Sequence, residues 1–204
     1  MKVTDKIEIT NEDNMALMSR YENNYFDLAI VDPPYRDVNQ PTKDMRANGS
    51  MKSLEGRPTK EYWNELLRVS KNQIIWGANN FELPQFKGFF VWDKCIPFDF
   101  TMSMAEIASL SEGIATISKI WKFRIAGSEH RIHPTQKPRQ LYNFLLDTYA
   151  KEGDKILDTH LGSGSLALAC HERRFNLTAC EIDKEYYEAS IKRIKGHIAQ
   201  QRLF

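Results

Sequence analysis

Cysteine is scarce in this 204-residue chain: Cys95, Cys170 and Cys180 make an odd count with no Cys-x-x-Cys pair. That excludes a disulfide framework and a zinc ribbon and fits a reducing cytoplasm. Long apolar runs are missing, since no stretch approaches the roughly 20 apolar residues that span a bilayer, and no membrane partner is expected. No apolar run follows Met1-Lys2-Val3-Thr4-Asp5, so no signal peptide is expected. Excess charge is missing too. The 28 basic and 27 acidic residues leave a formal net charge of +1, which excludes coating nucleic acid by charge alone; contact with nucleic acid needs a local basic face. Repeats and low-complexity tracts are absent. What remains, 42% apolar and 27% charged residues, reads as one globular domain over residues 1–204.

Along the chain, Ile7 and Ile9 flank Glu8 as a short strand, and Met15, Leu17 and Met18 suggest a short helix after Asn11-Glu12-Asp13-Asn14. The apolar run Phe26–Val31 reads as a strand that must leave the sheet at Pro33-Pro34. Residues 36–58 are polar, with Pro41, Asn48-Gly49, Gly56 and Pro58; a loop of that length is usually functional or disordered, and a mobile cover over an active site is the functional expectation. A helix is predicted from Thr59 to Ser70, strands at Asn72–Trp76 and Gly88–Trp92, and short β segments at Ala105–Leu110 and Ile114–Trp121. Pro138 opens a helix. Then come a strand at Lys155–Asp158, a tight glycine loop, a helix at Leu166–Arg173, a strand at Asn176–Glu181 and a helix from Lys184 to about Gln200. Strand, glycine loop, helix, and strand ending in an acid make half of a nucleotide-binding doubly wound fold.

Three strings carry chemistry. Asp32-Pro33-Pro34-Tyr35 ends an apolar strand, where ligands bind in such sheets. It can be a proline-stiffened turn and no more. Its functional reading starts from the weak nucleophilicity of a base amine, whose lone pair is delocalised into the ring. Asp32 and the Pro33 carbonyl can accept the two N–H groups and localise that pair, and Tyr35 can stack on the base for about 1–3 kcal/mol. The second string, Asp158-Thr159-His160-Leu161-Gly162-Ser163-Gly164-Ser165, follows a strand and opens a helix. No Lys-Ser or Lys-Thr follows, so it is no phosphate loop, and Asp158 suits a ligand with an ammonium group. Glu181 stands near the spacing of a ribose-binding acid, with Asp183 the competing residue. The third string is His133-Pro134-Thr135-Gln136-Lys137-Pro138, a rigid loop between prolines. His130 and His133 have no third ligand near them in sequence, so no metal site is expected.

In this order the three strings resemble the amino-group (N6-adenine or N4-cytosine) DNA methyltransferases of the permuted beta class, over nearly the whole chain. The resemblance implies an α/β fold with a doubly wound, Rossmann-like methyltransferase sheet, mostly parallel with one antiparallel strand and helices on both faces. It implies S-adenosylmethionine as cofactor and double-stranded DNA as substrate, with adenine favoured because cytosine enzymes of this class typically carry Ser-Pro-Pro-Tyr. Asp32, Pro33, Pro34 and Tyr35 fall in its catalytic pocket. Asp13, His133, Pro134, Thr135, Gln136, Lys137, Asp158, Gly162, Ser163, Gly164 and Glu181 fall at its cofactor site. Trp76–Phe81 and Val91–Lys94 resemble its later sheet motifs near the target base. Residues 93–132 become a short inserted target-recognition segment. A homodimer and a separate restriction nuclease are compatible partners, and a bacterial or phage-encoded cytoplasmic protein is expected. The family commonly has Asp-Pro-Phe where this chain has Asp158-Thr159-His160, which is expected to remove an apolar wall beside the cofactor. Lys43, Arg46, Lys52, Arg57, Lys122, Arg124 and Arg131 are candidate DNA contacts. The competing readings are an N4-cytosine enzyme, an RNA methyltransferase sharing Asp-Pro-Pro-Tyr, and an inactive nucleic-acid-binding module.

Overall fold

The computed structural model describes residues 1–35, 38–39, 54–84, 86–100, 103–124, 131–133 and 135–201. In chain order these form β1 (Ile7–Asn11), α1 (Asn14–Met18), β2 (Phe26–Val31), β3 (Val38–Asn39), β4 (Leu54–Glu55), α2 (Lys60–Val69), β5 (Ser70–Trp76), β6 (Gly88–Asp93), β7 (Ala105–Leu110) and β8 (Lys119–Lys122). They continue with α3 (Arg139–Tyr149), β9 (Lys155–Asp158), α4 (Ser165–Arg173), β10 (Asn176–Glu181) and α5 (Lys184–Gln201). Eight strands share one sheet in the order β1-β10-β9-β2-β5-β7-β6-β8. Within it β7 alone runs antiparallel to its neighbours, as the doubly wound reading requires.

A parallel strand covered on both faces must be apolar nearly throughout, and β2 meets that demand: five of its six residues are buried. Leu28 and Ile30 pack with Leu141, Leu145, Leu166 and Ile194 from α3, α4 and α5 on one face. Ala29 and Val31 pack with Leu17 of α1 and Tyr62, Trp63 and Leu66 of α2 on the other. Each fully buried Leu, Ile or Val among them contributes roughly 1.5–3 kcal/mol. The α2 stripe is set by Tyr62, Trp63, Leu66 and Val69 at helical spacing, and Thr59 caps the helix by accepting the Tyr62 N–H.

Ser70 ends α2 and starts β5 at once. Its N–H and its hydroxyl both donate to the Leu66 carbonyl while its backbone is already extended. The strand therefore begins two residues before the sequence places it. The segment expected as β at Ile114–Trp121 is shorter, because Ile114 and Ala115 turn back onto the Ser111 carbonyl and pairing with β6 resumes only at Lys119. Inside the expected loop 36–58, β3 pairs with β4.

The two halves of the chain meet at the seam between β9 and β2. From β2 the chain crosses through α2 to β5 on one side, and from β9 it crosses through α4 to β10 on the other. Ligands in open α/β sheets bind beyond the carboxyl ends of strands at such a reversal, and Asp32 follows β2 there while Asp158 ends β9.

Candidate active site

Asp32 follows the last residue of β2, and Pro33 forbids the strand from continuing. Its carboxylate is committed on both oxygens. The Tyr35 hydroxyl donates to Oδ1 at 2.9 Å, and the Lys137 ammonium donates to Oδ2 in a short contact. Burial pushes the Asp32 carboxyl above the usual range, helped by the charge of Glu106 and opposed by Lys137. The Tyr35 ring lies over Gly77, which has φ +65; a Cβ there would overlap the ring. Phe81 adds an edge contact with ring centroids 6.1 Å apart. Trp76–Phe81 thus walls the Asp32 pocket.

Lys137, expected beside the cofactor, is enclosed against the Asp32 carboxylate. Its side chain is 3% exposed and bridges Asp32 to Glu106, whose Oε2 lies 3.0 Å from Nζ. The ring of Trp76 lies 5.0 Å from the same nitrogen. Lys94 completes the row, 2.6 Å from Glu106 Oε1. Burial alone would lower the Lys137 pKa; Asp32 and Glu106 outweigh it and hold it well above the ordinary lysine range. Burial alone would raise Glu106, yet Lys137 and Lys94 pull it down to about 2.

Sequence reasoning missed Glu106 and gave Lys94 no charge role. The rule that site residues follow the carboxyl ends of strands fails for Glu106, because it sits near the start of β7. The antiparallel run of β7 brings that start to the same edge, opposite Trp92. The signal that could have found it is a lone acid in an otherwise uncharged strand, Ala-Glu-Ile-Ala-Ser-Leu, since an enclosed carboxylate needs a partner.

The second half of the site is the glycine loop. Gly162 and Gly164 have φ +53 and +75, left-handed values that favour glycine. The Gly162 N–H donates to Glu181 Oε2 at 2.8 Å, tying the loop to the end of β10. The His133 ring packs against Gly162 and, at 4.5 Å, against Tyr186, so the proline-flanked loop is joined to the glycine loop and α5. Burial holds His133 neutral, with its pKa lowered to about 4. Thr135 bonds back to His133, its Oγ1 lying 3.2 Å from Nδ1, and the buried Gln136 accepts the Ile132 N–H at 3.1 Å. Ser163 is buried and its carbonyl accepts from Arg193 at 2.9 Å. Pro134 lies outside the described residues.

A cleft of about 220 Å³ runs between Asp13, Tyr62, Thr159, His160, Glu181 and Ile182. Ile182 is 69% exposed on its wall. Glu181 faces this cleft, whereas Asp183 caps α5 by accepting the Glu185 and Tyr186 N–H groups at 2.8 and 3.0 Å. Asp13 lines the cleft and also caps α1. The apolar wall expected to be lost beside Asp158 is rebuilt differently. Thr159 Oγ1 lies 2.6 Å from the Tyr62 hydroxyl and 2.9 Å from His160 Nδ1, and the Tyr62 and His160 rings meet edge-on at 5.4 Å. Burial lowers the His160 pKa to about 4, so the ring is uncharged at neutral pH. At the end of β9, burial raises the Asp158 carboxyl to about 7, against a hydrogen bond from the His160 N–H and with the charges of Asp32 and Glu181 adding to the rise. The cleft therefore offers two flat rings, an exposed apolar side chain and the carboxyl groups of Asp13 and Glu181, with Asp158 at the adjoining end of β9. That donor set fits a nucleoside with ribose hydroxyls and a cationic tail.

Of the basic candidates, Arg57 is engaged within the chain, donating to the Asn80 carbonyl at 2.6 Å, while Lys122 and Arg124 are exposed. Lys43, Arg46 and Lys52 lie outside the described residues. Among the described residues no group of three or more His, Cys, Asp or Glu side chains is placed to hold a metal, and no helix is long and apolar enough to cross a membrane.

A doubly wound sheet with a carboxylate pocket on one side of its reversal and an acidic nucleoside cleft on the other defines a class, and the comparisons name it. The DNA methylase family N6_N4_Mtase matches residues 5–192, and the chain belongs to that family. Among individual proteins it is similar to the type II methyltransferase M.HpaI of Haemophilus parainfluenzae, with 34% identity over 83 residues, 39% of this chain and 26% of that protein. It is also similar to M.HindIII of Haemophilus influenzae, with 30% identity over 86 residues, 42% of this chain and 28% of that protein. The chain thus spans about a quarter of the length of these curated relatives. Its fold matches the M1.HpyAVI–SAM complex with a TM-score of 0.62 at 19% identity, covering 91% of this chain and 98% of the other. It matches the cytosine-N4-specific PvuII DNA methyltransferase with a TM-score of 0.60 at 13% identity, covering 94% of this chain and 92% of the other.

Proposed function

We propose that this chain is a site-specific DNA methyltransferase that modifies the exocyclic 6-amino group of adenine, with S-adenosylmethionine as methyl donor. One observation carries the reading: the Asp32 carboxylate and the acidic, ring-lined cleft stand on neighbouring strands across the β9–β2 seam. When bound, S-adenosylmethionine supplies a sulfonium methyl group open to a nucleophilic amine. Glu181 would hold its ribose, Asp158 its ammonium group, and Asp13 with the Tyr62, His160 and Ile182 wall its base. His133 and Gly162 keep the two loops in register.

At the other side, Asp32 Oδ1 and the Pro33 carbonyl accept the two amine N–H groups and draw the nitrogen out of conjugation. An arriving amine takes the place of the Tyr35 hydroxyl on Asp32. That frees the Tyr35 ring to stack on the base, offsetting part of the few kcal/mol spent in unstacking it. Asp32 acts by position and charge and need not keep the proton, which passes to water. Residues 36–58 are proposed to cover the pocket and residues 93–132 to read the duplex. Phe98 and Phe100 support the latter, standing 91% and 56% exposed on the connection between β6 and β7. The relatives named as type II methyltransferases suggest a separate restriction nuclease, and the buried, unpaired Cys170 and Cys180 suit a cytoplasmic setting.

The test is to express the chain in a methylation-free host and map modified bases. N6-methyladenine at one recurring site is the expected result. N4-methylcytosine would redirect the base assignment, and methylation of structured RNA in preference to duplex DNA would overturn the substrate. Asp32→Ala is expected to lower methyl transfer by about 10²–10³-fold with cofactor binding retained; full activity in that variant would remove Asp32 from the mechanism.

A further inference from the structure

We infer that Glu106 is a positioning residue: through Lys137 it sets how tightly the catalytic carboxylate of Asp32 is held and therefore how readily Asp32 accepts a base amine. The inference rests on the proposed role of Asp32.

The geometry is a row of four alternating charges, Asp32, Lys137, Glu106 and Lys94, with side chains 15%, 3%, 23% and 17% exposed. The row comes from four places in the chain: the end of β2, the proline-flanked loop before α3, the start of β7 and the end of β6. Its charges sum to zero, so the enclosed pocket carries no net ion. Lys137 cannot serve Asp32 alone. With no second partner its charge would bear wholly on Asp32, both oxygens of which are already engaged, and an ammonium at full strength on Oδ2 would weaken Oδ1 as the acceptor of a base amine. Glu106 divides that attraction, since Nζ is shared between the two carboxylates. Lys94 binds the second Glu106 oxygen and keeps Glu106 itself ionised. Among the described residues, Asp32 and Glu106 are the carboxylates that act most strongly on Lys137. The Trp76 ring contributes only its face, and the groups that act on Asp32 besides Lys137 and Glu106 are the Tyr35 hydroxyl, Asp158 of β9 and Tyr142 of α3.

The two bridging residues should act in opposite directions. Removing the Glu106 charge leaves Lys137 to Asp32, so Asp32 becomes harder to protonate and its titration moves to lower pH. Removing Lys137 leaves Asp32 beside the unshielded Glu106, so its titration moves to higher pH. A Glu106 that served only packing would move neither.

The experiment follows the Asp32 carboxyl carbon by NMR in protein labelled at aspartate, assigned with Asp32→Asn, in the parent, Glu106→Gln and Lys137→Met. In parallel, single-turnover methyl transfer to duplex DNA is measured at saturating cofactor from about pH 5 to about pH 9, where an acidic limb reports the group that must be ionised. The expected result is a downward move for Glu106→Gln and an upward move for Lys137→Met, in both readouts. The plateau rate of Glu106→Gln should fall about threefold to tenfold, since its Asp32 is held too firmly. Cofactor affinity by calorimetry reports Asp158 separately. If Lys137→Met does not fold, the Glu106→Gln shift alone decides. An Asp32 titration that stays fixed, or moves the same way in both variants, overturns the inference. A parent that transfers no methyl group overturns the proposed function, while the carboxyl titration still decides the role of Glu106.

Discussion

Asp158 has a charge state within reach of ordinary conditions, because burial raises its carboxyl to about 7. A carboxyl raised by folding is protonated in the folded chain and ionised in the unfolded one between the unfolded value and about 7. Its contribution to stability is therefore lost as pH rises through that window. A cationic ligand reverses the preference by favouring the ionised form. S-adenosylmethionine affinity is expected to rise from about pH 6 to about pH 8 with release of a proton, measured by calorimetry in buffers of different ionisation enthalpy. Asp158→Asn should flatten that profile, weaken binding, and raise the melting temperature of the ligand-free protein at pH 8. Unchanged pH dependence in the variant would take Asp158 out of the cofactor site. His160 shows the limit of reading a departure from a family pattern by subtraction. Losing Pro and Phe predicts a missing wall, but the replacement ring is oriented by Thr159 and Tyr62 and kept neutral by burial; Tyr62 lies 97 residues from Thr159 in sequence, and no local pattern records that pairing.

At the scale of elements, the turn after β5 governs the catalytic pocket from behind. Gly77→Ala places a methyl where the Tyr35 ring now lies and burdens a left-handed backbone by roughly 1–2 kcal/mol. The expected outcome is at least about a tenfold loss in methyl transfer with little change in cofactor affinity, read by single-turnover kinetics beside calorimetry. Equal losses in both would mean that the turn supports the whole fold and not this pocket. The strands that were legible in sequence, β2, β9 and β10, are buried, apolar and ended by Pro33, by the glycine loop and by Glu181. Their ends were legible for the same reason, and so were Asp32, Gly162 and Glu181. The stretch from β6 to β8 was legible only in part. β6 and β7 lie within a residue of their predicted bounds, but β8 at the sheet edge has four residues and keeps Ile120 67% exposed, so periodicity is weak there. Reversed strand direction then hid Glu106, because sequence shows an acid in a strand but not which rim of the sheet it reaches.

For the molecule as a whole, the proposed capture of DNA and the proposed chemistry on a base would draw on charges in different surroundings. A net charge of +1 leaves capture to exposed residues such as Lys122 and Arg124, which counter-ions reach. Affinity for duplex DNA should therefore fall with salt. Lys122→Ala should lower the slope of log affinity on log salt concentration by about one, whereas Phe98→Ala should weaken binding with the slope unchanged. Equal slopes in the parent and Lys122→Ala would rule out a phosphate contact there. The row from Asp32 to Lys94 lies where bulk ions, with a screening length of about 8 Å at physiological strength, shield far less. On the proposed function, sodium chloride would become a means of separating the two stages: it would strip the protein from DNA while leaving the rate of the bound complex almost untouched, so a cell whose ionic composition swings would lose encounters with its genome before it lost turnover.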